Sequence, residues 1–143
     1  MMMEPRKTIC LYRLDCAVET LDEAQTMFNS NHLRGTVNRI YYAMFYAVNA
    51  LAYAYEFNTS KHSSLVGWFN KNFIHSGRMT PESGGIFRKA YELRSKGDYT
   101  DFARLNLETV QELLQAAKPF IETIRCLTLE RLEEKKNLST GEE

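Results

Sequence analysis

Charge is missing from the middle of this chain. Between Arg39 and Glu56 lie sixteen residues without Asp, Glu, Lys or Arg, and Asn49 is their only non-aromatic polar side chain. Net charge is missing overall: 18 basic side chains balance 18 acidic ones, so the whole chain is no polyelectrolyte for nucleic acid. Cys10, Cys16 and Cys126 form no CxxC pair and no even-numbered framework. His32, His62 and His75 lack paired metal-ligand spacing. These absences argue against a structural zinc or a disulfide scaffold, and neither metal nor cofactor is expected. No Gly-rich phosphate loop follows a strand, no stretch alternates with period two, and no repeat recurs. No long apolar stretch follows the first residues, so no secretory signal is read there, and reduced cysteines fit a cytoplasmic location.

What is present is enough for one domain with a real core, since 44% of the 143 residues are hydrophobic. The balanced charge is unevenly spread. Residues 1–29 carry three basic and five acidic side chains (−2), residues 30–99 nine and four (+5), and residues 100–143 six and nine (−3). The middle is where an anion is welcome, although a solvated face that balances the flanks gives the same count.

Hydrophobic spacing predicts an all-α fold. In a first helix, about Lys7 to Phe28, Leu14, Ala17, Leu21, Ala24 and Phe28 recur at spacings of three and four with Val18 beside them. Asn29-Ser30-Asn31 breaks it and caps the next. The uncharged run lies in a second helix, about Leu33 to Phe57, which is apolar all round and must be buried all round, in a bundle or partly under a partner. It is shorter than the roughly 20 residues of a transmembrane span and holds five tyrosines, so the membrane reading is rejected. Ala43, Ala47, Ala50 and Ala54 form a small-residue stripe, and Tyr42, Tyr46, Asn49 and Tyr53 a polar one that packing alone can explain.

A third helix is predicted from an N-cap at Ser60 to Gly77, and a fourth from Thr80-Pro81-Glu82 to Gly97, carrying Ile86, Phe87, Ala90, Tyr91, Leu93 and Arg94. After a linker at 98–105, a fifth starts near Leu107 with Val110, Leu113, Leu114, Ala117, Ile121, Ile124 and Leu127 inward and a kink expected at Pro119. The reading is an up-and-down four-helix bundle with an additional short helix over residues 1–132, then a polar tail, 133–143, expected to be disordered.

Three clusters are candidates for function. Asn38-Arg39 lies one turn before Tyr42. Lys61-His62 falls in the first turn of the third helix, where backbone N–H groups favour an anion. Arg94, Asp98 and Tyr99 close the fourth helix. Each has a plain alternative: an ion pair for Arg39, solvation for Lys61-His62, the helix dipole for Arg94.

Taken together, Asn38-Arg39-Ile40-Tyr41-Tyr42-Ala43-Met44-Phe45-Tyr46-Ala47, Ser60-Lys61-His62-Ser63, Phe69 to Phe73 with Gly77, and Arg94…Gly97-Asp98-Tyr99 resemble the HEPN domain. The pattern is that of small stand-alone prokaryotic HEPN proteins, over about residues 8–130. The resemblance implies a helical bundle that dimerises, and for many members a minimal nucleotidyltransferase encoded alongside, with the HEPN chain as the toxin of a toxin–antitoxin pair. It also implies, for active members, a metal-independent ribonuclease in which an Arg is followed after four to six residues by a His.

Here that arginine is Arg94, and the positions for the His hold Tyr99, Thr100 and Asp101. Cleavage by a 2′-OH needs a base and an acid that titrate near the working pH. Histidine meets this with a pKa of about 6.5, and tyrosine at about 10 does not. Asp101 also stands where the resemblance would place the family's modifiable tyrosine, which leaves Tyr99 as the candidate for that role. The leading expectation is therefore a homodimeric HEPN protein that pairs with a nucleotidyltransferase and binds nucleotide or RNA phosphate through Arg39, Lys61, His62 and Arg94. The alternatives are a ribonuclease toxin using Arg94 with His62 or Tyr99, and a purely structural dimerisation module.

Overall fold

A computed structural model describes the backbone of residues 4–99 and 105–141, with side chains described except at 96–99 and 135–141. Among the described residues there are five α-helices and one π-helical turn: α1 (Pro5–Asn29), α2 (Leu33–Ala54), α3 (His62–Phe69), the π turn (Asn70–Ile74), α4 (Pro81–Tyr99) and α5 (Leu107–Gly141). The all-α architecture is as the spacing predicts.

The uncharged run forms the hub. α2 packs most extensively on α1 and also on α5, α4 and α3. Ile40, Ala43, Met44, Ala47, Val48 and Leu51 are fully buried. The alanine stripe of Ala43, Ala47, Ala50 and Ala54 has no exposed surface at all, which lets neighbouring helices approach closely. The polar stripe of Tyr42, Tyr46, Asn49 and Tyr53 is only half-buried and marks the one long side of α2 that its neighbours leave partly open. No helix among the described residues is long and apolar enough to cross a membrane.

The helix ends follow local chemistry, not always at the predicted residue. α1 starts with Pro5, whose missing N–H costs nothing in the first turn. It ends in a left-handed Asn31 (φ 64°), with the Asn31 N–H on Phe28 O and the His32 N–H on Met27 O. The same pair of bonds ends α2, with Glu56 left-handed (φ 66°), its N–H on Tyr53 O and that of Phe57 on Ala52 O. The residue before α2 is His32, which offers no side-chain cap, in place of the cap expected from Asn29-Ser30-Asn31.

Ser60 is likewise no cap. Lys61 precedes α3, which begins at His62, and Thr59 Oγ1 accepts the Lys61 N–H. The third helix is also not one regular helix to Gly77. At 70–74 it widens to a π turn, with the His75 N–H on Asn70 O, before Gly77 (φ 82°) turns the chain. Phe69 and Phe73 stack with centroids 6.1 Å apart, both buried.

Thr80 Oγ1 accepts the Ser83 N–H, which caps α4 as its sequence predicts, and Asn106 Oδ1 accepts the Glu108 and Thr109 N–H groups at the start of α5. α4 does not stop at Gly97 but continues through Tyr99, because glycine is tolerated in a helix at modest cost. α5 carries Pro119 inside one helix that runs on to Gly141, across the polar segment from 133. Val18, placed beside the inner stripe of α1, is 52% exposed.

Candidate functional site

The half-open side of α2 collects arginines from other parts of the chain. Arg94, half-buried on α4, donates from Nη2 to the Tyr42 hydroxyl at 3.0 Å, across 52 residues of sequence. Its guanidinium carbon lies 5.2 Å from the Tyr42 ring centroid and 5.7 Å from that of Tyr41. Arg39 lies 5.5 Å from the Tyr42 centroid, is held by Asn38 Oδ1 at 2.8 Å, and meets Glu23 of α1 at 3.6 Å. Two guanidinium groups thus converge on Tyr42, where ring and cation attract each other. The Arg39–Glu23 pair is solvent-exposed and worth little.

His62 enters the same cluster from the start of α3. Its ring stacks on Phe45 at 4.4 Å and on Tyr41 at 5.5 Å, and stands edge-on to Tyr42 at 6.1 Å. His62 Nδ1 lies 2.6 Å from the Tyr41 hydroxyl. Burial, and then the charge of Arg94, holds the imidazole below its ordinary pKa, so it is neutral at pH 7. Burial pushes the Tyr41 phenol well above its ordinary range, so it keeps its proton. When that phenol donates to Nδ1, the imidazole proton sits on Nε2.

A third arginine extends the row. Arg13 of α1 donates to Asn49 Oδ1 at 2.7 Å and lies 5.0 Å from the Tyr53 centroid. Two hollows flank this contact and share Arg13, Phe45 and Asn49. One, of about 370 Å³, is also lined by Glu19 and Glu23; the other, of about 550 Å³, continues to Asn58 and His62. Among the described residues no group of three His, Cys, Asp or Glu is placed to hold a metal.

Of the residues singled out in the sequence, Asn38, Arg39, Tyr42, His62 and Arg94 come together. Lys61 does not join an ion pair among the described residues; it is exposed ahead of α3 rather than inside its first turn. Arg94 does not close α4 but sits in its last turns. The side chains of Asp98 and Tyr99, and all of Thr100 and Asp101, lie outside the described residues. The residues missed are Tyr41, Phe45 and Arg13. Nothing in the sequence pairs Tyr41 with His62 or Arg13 with Asn49.

Fold and cluster together define a class: a helical bundle whose central helix presents tyrosines to arginines from its neighbours. The chain belongs to the HEPN domain family, which matches residues 11–127. It is 34% identical to the "UPF0332 protein" of Thermotoga maritima over 87% of this chain and 95% of that one. It is 30% identical to "Putative toxin MJ0142" of Methanocaldococcus jannaschii over 90% and 84% of the two chains. A second protein of that archaeon, "Putative toxin MJ0605", is 30% identical over 78% and 83%.

Proposed function

We propose that this chain is the toxin-type member of a HEPN–nucleotidyltransferase pair, acting in the cytoplasm as a homodimer. It binds nucleotide or RNA phosphate at the cluster of Arg39, Tyr42, His62 and Arg94. The observation that carries the reading is the convergence of Arg39 and Arg94 on one tyrosine ring. Planar guanidinium groups suit phosphate, and Glu23, which meets Arg39 at 3.6 Å, is 60% exposed and easily displaced. The toxin names carried by two relatives support the pair, and the half-open tyrosine stripe of α2 supports the dimer. Lys61 adds positive charge at the rim.

The test has two arms. Tagged protein purified from its native host is expected to bring down a small nucleotidyltransferase, and its absence removes the pairing. Binding of a short RNA should weaken steeply as salt rises, and Arg94→Ala should lower both the affinity and the salt slope. Salt-independent binding, or none, removes the phosphate site.

One observation favours a second reading, a metal-independent ribonuclease. A neutral imidazole, His62, stands within the electrostatic reach of Arg94 although no histidine follows Arg94 at the family spacing. In the tautomer whose Nδ1–H donates to the Tyr41 oxygen, Nε2 is free to take the 2′-OH proton while the arginine stabilises the phosphorane charge, and the imidazolium so formed protonates the departing 5′-oxygen. Growth arrest on expression that disappears in both His62→Ala and Arg94→Ala supports it. Arrest that survives in both removes these residues from catalysis, and leaves Tyr99 as the alternative.

A further inference from the structure

We propose that the hollow between α1, α2 and the loop before α3 is a nucleobase-binding subsite, taking the base of a nucleotide whose phosphate sits at Arg39 and Arg94. The inference rests on the phosphate reading above and adds what the ligand presents next to that phosphate.

The hollow of about 550 Å³ is lined by Arg13, Phe45, Asn49, Asn58, Thr59 and His62 among others, and by no carboxylate. That volume is within the usual range for a small organic ligand. Its chemistry is that of a base pocket. The half-buried His62 ring, backed by the buried Phe45 ring at 4.4 Å, offers aromatic surface on which a base can lie. Asn49 and Asn58 carry amides, which combine donor and acceptor as the edge of a nucleobase does. With Oδ1 of Asn49 accepting from Arg13 at 2.7 Å, the amide is fixed in orientation and its NH₂ serves an acceptor edge.

Position joins the hollow to the cluster. His62 belongs to both, lining the hollow while standing edge-on to Tyr42 at 6.1 Å. The hollow therefore begins one ring away from the guanidinium groups, as a base lies one sugar away from its phosphate. The adjoining hollow of about 370 Å³ is a poorer candidate, because Glu19 and Glu23 set carboxylates beside it that repel a nucleotide.

The experiment compares binding of AMP, GMP, CMP, UMP and ribose 5-phosphate to the full chain and to Asn58→Ala and Asn49→Ala, by calorimetry at low salt. Asn58 is exposed, so its variant folds even if Asn49→Ala does not. At least one nucleotide is expected to bind about tenfold or more tighter than ribose 5-phosphate, a moderate gain for one stacked base. Asn58→Ala should erase most of that preference and leave ribose 5-phosphate unaffected. If all five bind equally, the base adds nothing: the subsite is refuted and the phosphate reading stands. If a nucleotide preference persists unchanged in both variants, the base lies elsewhere and the subsite is again refuted. If none of the five binds, both readings fall.

Discussion

The Tyr41 hydroxyl and Nδ1 of His62 lie 2.6 Å apart, tying the buried hub to the first residue of α3. The bond sits under the aromatic layer, where Tyr41 is fully buried and His62 half-buried. Tyr41→Phe keeps the ring but leaves the imidazole nitrogen without this partner. A loss of about 1–2 kcal/mol is expected, the usual cost of removing one side of a buried hydrogen bond. Urea denaturation reads it, and an unchanged midpoint would mean that water replaces the phenol.

The same two groups shape the response to pH. His62 is held below 6.5 in the folded chain, so on acidification the unfolded chain takes up this proton first. Its contribution to stability is complete above about pH 6.5 and declines as pH falls through the lowered folded value. The raised Tyr41 phenol acts on the other side: its contribution is complete below about pH 10 and is lost as pH rises through the folded value. Cys10, pushed up to about 11 by burial, adds to the alkaline loss. Denaturation midpoints in His62→Asn should fall less on the acid side than in the unaltered chain, and those in Tyr41→Phe less on the alkaline side. Parallel profiles for all three proteins would contradict this.

Two adjacent glycines in α4 separate helix propensity from packing. A methyl group at Gly85 meets nothing within 4 Å, whereas one at Gly84 comes within 3.1 Å of Ile74 Cγ1 and 3.4 Å of Asn70 Oδ1. Gly85→Ala is expected to stabilise the protein by about 0.5–1 kcal/mol, through lost freedom in the unfolded chain. Gly84→Ala should gain less or turn unfavourable, because the π turn must give way. Equal gains at the two positions, measured by thermal unfolding, would show that the π turn yields freely.

The alanine stripe predicts an asymmetric tolerance. Ala47 has no exposed surface and faces close neighbours, so Ala47→Leu overpacks the hub and is expected to cost about 1–3 kcal/mol. Ala116, half-buried on α5, is expected to accept leucine with a smaller loss. Circular dichroism melting curves of the two variants distinguish them, and equal losses would mean that the stripe is not tightly packed.

Much of the bundle was legible because it follows from period and punctuation. The apolar stripe of α5, the uncharged run of α2 and the Thr80-Pro81 start of α4 are local signals, and the structure realises each. The π turn was not legible: widening by one residue at 70–74 depends on packing Phe69 and Phe73 together against the hub. Nor was the end of α4, where a glycine that usually stops a helix is carried through. Ser60 looked like a cap, but Thr59 took the nearby N–H instead. At the site, Arg39, Tyr42, His62 and Arg94, singled out from their combined pattern, come together in one cluster. The Tyr41–His62 and Arg13–Asn49 pairings were not legible, because contacts across 21 and 36 residues leave no periodic trace.

The Arg94–Tyr42 contact also sets when the cluster is complete. Tyr42 and His62 leave the ribosome well before Arg94, and α2 meets its guanidinium only after α4 has docked. A nascent or prematurely terminated chain that stops short of residue 94 carries Arg39 beside Tyr42 but not the second guanidinium. The cluster is therefore complete only once the fourth helix has been made and packed.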